Sequence, residues 1–74
     1  MYMTYAADVD AAYIGLIDNM RSHDMVTAIH HPDGINEWEI NLDFDVKGRL
    51  VGIEVLFAKD GLPPEFISQC ERLA

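Results

Sequence analysis

Seventy-four residues with 13 acidic and 5 basic side chains, a net charge of −8 and a hydrophobic content of 50% make one small acidic domain. A chain of this length buries only about 60% of its unfolded surface, so its core must be thin. The hydrophobic content argues against disorder, no apolar run approaches the roughly 20 residues of a membrane span, and no basic face is available to neutralise nucleic-acid phosphates.

The charge is unevenly placed. Residues 1–45 hold nine acids and one base, Arg21, whereas residues 46–74 hold four of each. Cys70 is the single cysteine, which excludes an internal disulfide, and the first residues lack the basic-then-apolar order of a secretory signal. A cytoplasmic location is therefore expected. Small domains usually recover missing stability from disulfides, a metal or a second chain; with the first excluded, a homo-oligomer is expected, most simply a two-fold dimer.

In chain order, MYMTYA and AAYIGLID read as two strands around the acidic turn ADVD, residues 7–10. Residues Ala12–Ile17 are apolar on both faces, which suits a strand covered on both sides. The stretch DNMRSHD, residues 18–24, is the least patterned and reads as a loop, followed by a strand from about Met25 to His31. HPDGI then has the Pro-Asp-Gly order of a type I turn.

EWEINLDFD, Glu37–Asp45, alternates throughout: Trp38, Ile40, Leu42 and Phe44 take one face, acids and Asn41 the other. That period is the mark of a half-buried strand whose acidic row is solvated. LVGIEVLF, Leu50–Phe57, follows after VKGR. A hairpin with Lys47-Gly48 as a two-residue loop sets Phe44 opposite Val51, Leu42 opposite Ile53, Ile40 opposite Val55 and Trp38 opposite Phe57. It also sets Leu50 beside Asp45 and Leu56 beside Glu39, a small apolar strip on the acidic face for a partner subunit. GLPPEFISQCERLA predicts one C-terminal helix over about 63–73, with Pro in its first turn. The predicted fold is α+β, an antiparallel meander of about five strands with that helix packed on it.

Two segments together resemble a bacterial family of small acidic proteins, domain of unknown function 2283. YAADVDAAYI keeps Tyr5, Asp10, Ala11, Tyr13 and Ile14 of the family's Tyr-Asp-Pro-Glu-Ala-Asp-Ala-Leu-Tyr-Ile, with Ala6 and Ala7 in place of Asp-Pro. LDFDVKGRLVGIEVL, Leu42–Leu56, is similar to the family's Leu-Asp-Tyr-Asp, Gly turn, Leu-Val-Gly-Ile-Glu-Ile-Leu. The resemblance implies a compact β-rich fold and assigns no activity or catalytic residue.

No set of residues assembles into catalytic machinery. Carboxylates two apart on the acidic row are about 6.8 Å from each other along a strand, too far to share an ion without other ligands. His30 and His31 are adjacent on a strand and face opposite ways, so they clamp one metal only where the strand has ended, with His23 the other histidine to consider. Cys70 falls on the apolar stripe of the helix, where a cysteine packs as a small hydrophobe. No metal and no cofactor is expected. Tyr2, Tyr5, Tyr13 and Trp38 could line a small aromatic pocket, although aromatics in so small a chain more often form the core. Tyr5, Tyr13, His30, Trp38, Leu50 and Leu56 are the candidate ligand or interface residues. The leading expectation is a non-catalytic homo-oligomeric module that binds a protein partner. The alternatives are a small-molecule binder or minor enzyme with an aromatic pocket between subunits, and an acidic docking face for a basic protein.

Overall fold

The computed structural model of the chain describes residues 1–18, 26–30 and 38–73, the second segment as strand backbone. The elements are β1 (Tyr2–Ala6), β2 (Ala11–Gly15), β3 (Val26–His30), β4 (Glu39–Phe44), β5 (Leu50–Leu56), α1 (Ala58–Gly61), α2 (Pro64–Gln69) and β6 (Glu71–Arg72). The turn expected at His31–Ile35 and the loop expected at 18–24, Asp18 apart, lie outside the described residues.

The α+β class holds, but the sheet is mixed and is not a meander. Its order is β3-β4-β5-β2-β1-β6. A hairpin (β1-β2) and a three-stranded antiparallel unit (β3-β4-β5) join where β5 pairs with β2, Ile53 opposite Ile14 and Val55 opposite Ala12. This puts β2, the strand with apolar residues on both faces, in the sheet interior. β6 pairs with β1 in parallel, Arg72 beside Tyr5, and the Leu73 N–H donates to the Tyr5 carbonyl at 3.0 Å.

The C-terminal helix is shorter than its sequence pattern suggests. Pro63 and Pro64 begin α2 where expected, but Cys70 is already extended, with ψ 146°. A six-residue helix gains little from propensity. The open edge of β1 offers its last residues ladder hydrogen bonds instead. The separate turn α1 was not legible as a helix; it starts at Phe57, whose φ of 55° is left-handed.

The β4-β5 register matches the alternation at Ile40↔Val55 and Leu42↔Ile53, then shifts between Asp43 and Phe44, so Phe44 faces Leu50 rather than Val51. The loop is correspondingly longer than Lys47-Gly48. The Gly48 N–H donates to the Asp45 carbonyl at 3.0 Å and the Asp45 N–H to the Arg49 carbonyl at 2.9 Å, with Gly48 at φ 81°. This is a three-residue hairpin loop with glycine in the left-handed position. The Asp45 carboxylate accepts from the Lys47 and Arg49 backbone N–H groups, both at 2.9 Å, and drives the longer turn.

Both helices pack on one face of the sheet. The core joins Tyr5, Ala12 and Val55 from the strands to Ala58, Ile67 and Cys70, with Trp38, Leu62 and Phe66 packed against it. Gly61 lies so near the Trp38 indole that an added Cβ would stand 2.6 Å from Cε3. Tyr5 is the largest fully buried side chain among the described residues.

Candidate functional site

The face of the sheet opposite the helices carries the odd positions of β4 and their neighbours: Glu39, Asn41 and Asp43 on β4, Glu54 and Leu56 on β5, and Tyr13 on β2. The acidic row is not simply its wet side. Asp43 is 7% exposed, while Glu39, Asn41 and Glu54 are half-buried. The reason is Gly52, which pairs with Asp43 and has no side chain to fill the face. The Tyr13 ring lies across that gap, against Gly52, and its hydroxyl donates to Asp43 Oδ2 at 2.9 Å. Tyr2 lies in the same way over Gly15, its ring centroid 6.0 Å from that of Tyr13. Beside them the Asn41 amide donates to Glu54 Oε1 at 2.7 Å, and Asn41 Oδ1 is buried without a hydrogen-bond partner among the described residues.

Burial, then the hydrogen bond to the Asp43 carboxylate, push the Tyr13 hydroxyl far above the ordinary tyrosine range. At neutral pH Tyr13 is therefore a fixed hydrogen-bond donor and not a base. Tyr5 is shifted in the same direction, first by its hydrogen bond to Asp10 and then by burial. Cys70, 6% exposed, has its thiol pushed up by burial and donates to the Phe66 carbonyl at 3.5 Å, so it lacks thiolate character. Among the described residues no group of three or more His, Cys, Asp or Glu is placed to hold a metal ion. His23 and His31 lie outside the described residues, and His30 is described only by its backbone, opposite Ile40.

The candidate residues separate between the two faces. Tyr5 and Trp38 belong to the helix-covered core, and Tyr2 and Tyr13 to the opposite face, so these four aromatics do not line one pocket within the chain. Leu56 lies opposite Glu39 on the acidic face as expected, but the register shift sets Leu50 opposite Phe44 and takes it out of the acidic row. Asp43, Asn41 and Gly52 were missed as a polar cluster; the signal was the glycine inside an otherwise β-branched strand, which marks a close approach.

Asp10 was expected only as a turn residue. It is a turn residue at φ 53°, yet its carboxylate accepts from the Tyr5 hydroxyl at 2.7 Å and from the Lys59 N–H at 3.1 Å. It caps α1 from 49 positions away in sequence, because Phe57 at the N-cap has no oxygen to offer.

No helix among the described residues is long and apolar enough to cross a membrane. No curated protein and no solved structure matches the chain. A family model described as a protein of unknown function (DUF2283) matches residues 3–59, a span that takes in β1 to β5 and the start of α1 and leaves out α2 and β6. The chain belongs to the DUF2283 family.

Proposed function

We propose that the chain is a non-catalytic interaction module of the cytoplasm that works as a homodimer and offers its remaining surface to a protein partner. The observation that carries this reading is a gradient of burial along the helix-bearing face. Beneath the helices, Tyr5, Ala12 and Val55 are 1%, 1% and 3% exposed. One row further along the strands, Met3, Ile14, Ile53 and Leu42 are all half-buried. Beyond them Val51 is buried, but Phe44 is half-buried, and Leu16 and Leu50 are exposed at 37% and 38%. The two short helices cover one end of the face, and at the other end Leu16 and Leu50 stay exposed. A second copy meeting this surface about a two-fold axis would complete the core that a chain of this size lacks.

Sedimentation velocity of the purified protein tests the reading. Wild type should sediment as two chains at micromolar concentration, and Leu42→Asp with Leu50→Lys as one. A wild type that stays monomeric as concentration rises would sink the proposal.

A second reading, a small-molecule binder or minor enzyme with an aromatic pocket at a subunit interface, is supported by Asn41 Oδ1, buried without a partner among the described residues, on the face that carries Tyr13 and Tyr2. Native mass spectrometry of gently purified protein separates the two. Retained organic mass favours the binder; a bare dimer favours the module.

A further inference from the structure

We propose that the groove formed by α1, α2 and β6 binds a small amphipathic carboxylate, its carboxyl group held by Arg72 and Lys59 and its apolar body laid on Leu62, Pro64 and Ile67. The groove encloses about 390 Å³ and is lined by these five residues and Ser68. That volume lies at the lower end of the range for small-ligand clefts, about 300–1,000 Å³.

Charge selects the occupant. The chain has 13 carboxylates for 5 bases, so two cations that share one groove without an acidic partner stand out. The ion pairs of the described residues are Met1–Asp18 and Arg49–Asp45, and neither Lys59 nor Arg72 is in one. Both line the same groove, and among the described residues no acid lines it, although Asp60, Glu65 and Glu71 are close in sequence and the Asp10 carboxylate, which accepts from the Lys59 N–H, lies behind it. The local field therefore favours an anion on a molecule that otherwise repels anions.

Arg72 is also held in place. Its backbone is fixed beside Tyr5 in the β1-β6 pairing, and its guanidinium carbon lies 5.1 Å from the centroid of the buried Tyr5 ring. A guanidinium positioned on an aromatic face has its N–H edge free for a planar, two-oxygen acceptor. The Ser68 hydroxyl donates to the Glu65 carbonyl at 2.8 Å, so its proton is already engaged and the two cations remain to recognise the head group. The apolar floor distinguishes the site from a plain anion site, since a bare phosphate would leave the exposed parts of Leu62 and Pro64 uncovered. The groove lies at the opposite end of the sheet from the proposed dimer surface and does not depend on it.

The test is an amide NMR titration of the whole protein with octanoate, octanol, octylammonium and inorganic phosphate in parallel. Octanoate should give saturable shifts confined to Lys59–Arg72 and their neighbours, and the other three should bind at least tenfold more weakly. Arg72→Gln and Lys59→Gln should each weaken octanoate roughly tenfold. Ser68→Trp, an exposed position that fills the groove, should abolish binding while leaving distant amides unmoved. Octanol or phosphate binding as tightly as octanoate overturns the proposal. So does octanoate binding that ignores all three substitutions, or no octanoate binding by wild type.

Discussion

Replacing Asp10 by alanine removes the one carboxylate that joins the β1-β2 turn, the buried Tyr5 hydroxyl and the start of α1. Three costs add. The Tyr5 side chain is 1% exposed, so its hydroxyl is left without a partner in the core, at about 1–3 kcal/mol. The loss of a helix cap at Lys59 costs about 1 kcal/mol. Alanine tolerates the φ of 53° at position 10 less well than aspartate, which adds up to about 1 kcal/mol. The sum is about 2–5 kcal/mol, a large part of the roughly 4–11 kcal/mol total for a 74-residue domain. At about 4–8 °C per kcal/mol it should lower the melting temperature by about 8 °C or more. Asp10→Asn keeps an acceptor oxygen and suits the left-handed backbone, so it should cost far less. A double-mutant cycle isolates the buried link: Tyr5→Phe alone costs about 1–2 kcal/mol, and in the Asp10→Ala background nearly nothing, because the stranded hydroxyl is removed with it. Urea melts of the four proteins at one fixed concentration give the coupling directly. Effects that add within about 0.5 kcal/mol would refute the role assigned to Asp10.

Gly52→Ala places a Cβ against the Tyr13 hydroxyl and 2.6 Å from its Cζ, so the ring must leave Asp43; a loss of about 1–3 kcal/mol is expected, and Gly15→Ala, which meets only the ring of the exposed Tyr2, should cost clearly less in the same denaturant series. Because the Tyr13 pKa is raised above its ordinary 10.0, the stability it contributes is fully present below that pH and is lost as pH rises through the folded value. Tyr13→Phe should therefore flatten the alkaline side of the stability profile and remove the slowest-ionising phenol from an absorbance titration. The Asp45 carboxyl is held below its ordinary 3.8, above all by the Arg49 backbone N–H. Its contribution is present above that pH and is lost as pH falls through the lower folded value, so Asp45→Asn should blunt the acid limb of a pH-melting series. Cys70 should react with a disulfide reagent many times more slowly in native than in urea-unfolded protein, and rapid native labelling would contradict its burial.

The strands were legible because period-two alternation and turn residues are local signals. Ile40↔Val55 and Leu42↔Ile53 follow from pattern alone. The register slip at Phe44 was not readable in the same way, since it depends on the Asp45 carboxylate selecting a longer loop, a side-chain choice that hydrophobic spacing does not record. The helix over 63–73 failed at its end for a related reason: Phe66, Ile67, Cys70 and Leu73 have helical spacing, but an open strand edge beside Tyr5 competes for the backbone of Glu71 and Arg72. Site geometry was less legible still. Tyr5 and Tyr13 both stood out as candidates, yet they are on opposite faces, and their partners Asp10 and Asp43 are respectively 5 and 30 positions away. An acid in an alternating row looks solvated until a glycine on the next strand lets a tyrosine cover it.

The distribution of charge decides which face can self-associate. A chain of net charge −8 that pairs through the Glu39–Asn41–Asp43 row would set like charges opposite one another, which destabilises a sheet contact and opposes docking. Glu54 on the adjacent strand would add to that repulsion, and its link to Asn41 is already complete within the chain. The helix-bearing face has the reverse character at its uncovered end: Ile14, Leu16, Leu42, Phe44 and Leu50 carry no charge. Two sheets packed there stand about 10 Å apart, and each acidic face is then turned outward, separated from its equivalent by both sheets and by more than the Debye length of about 8 Å at physiological salt. In the proposed dimer acidity and self-association are compatible because they would use opposite sides of one sheet, and the acidic face, with its tyrosine-lined centre, would remain free for a partner.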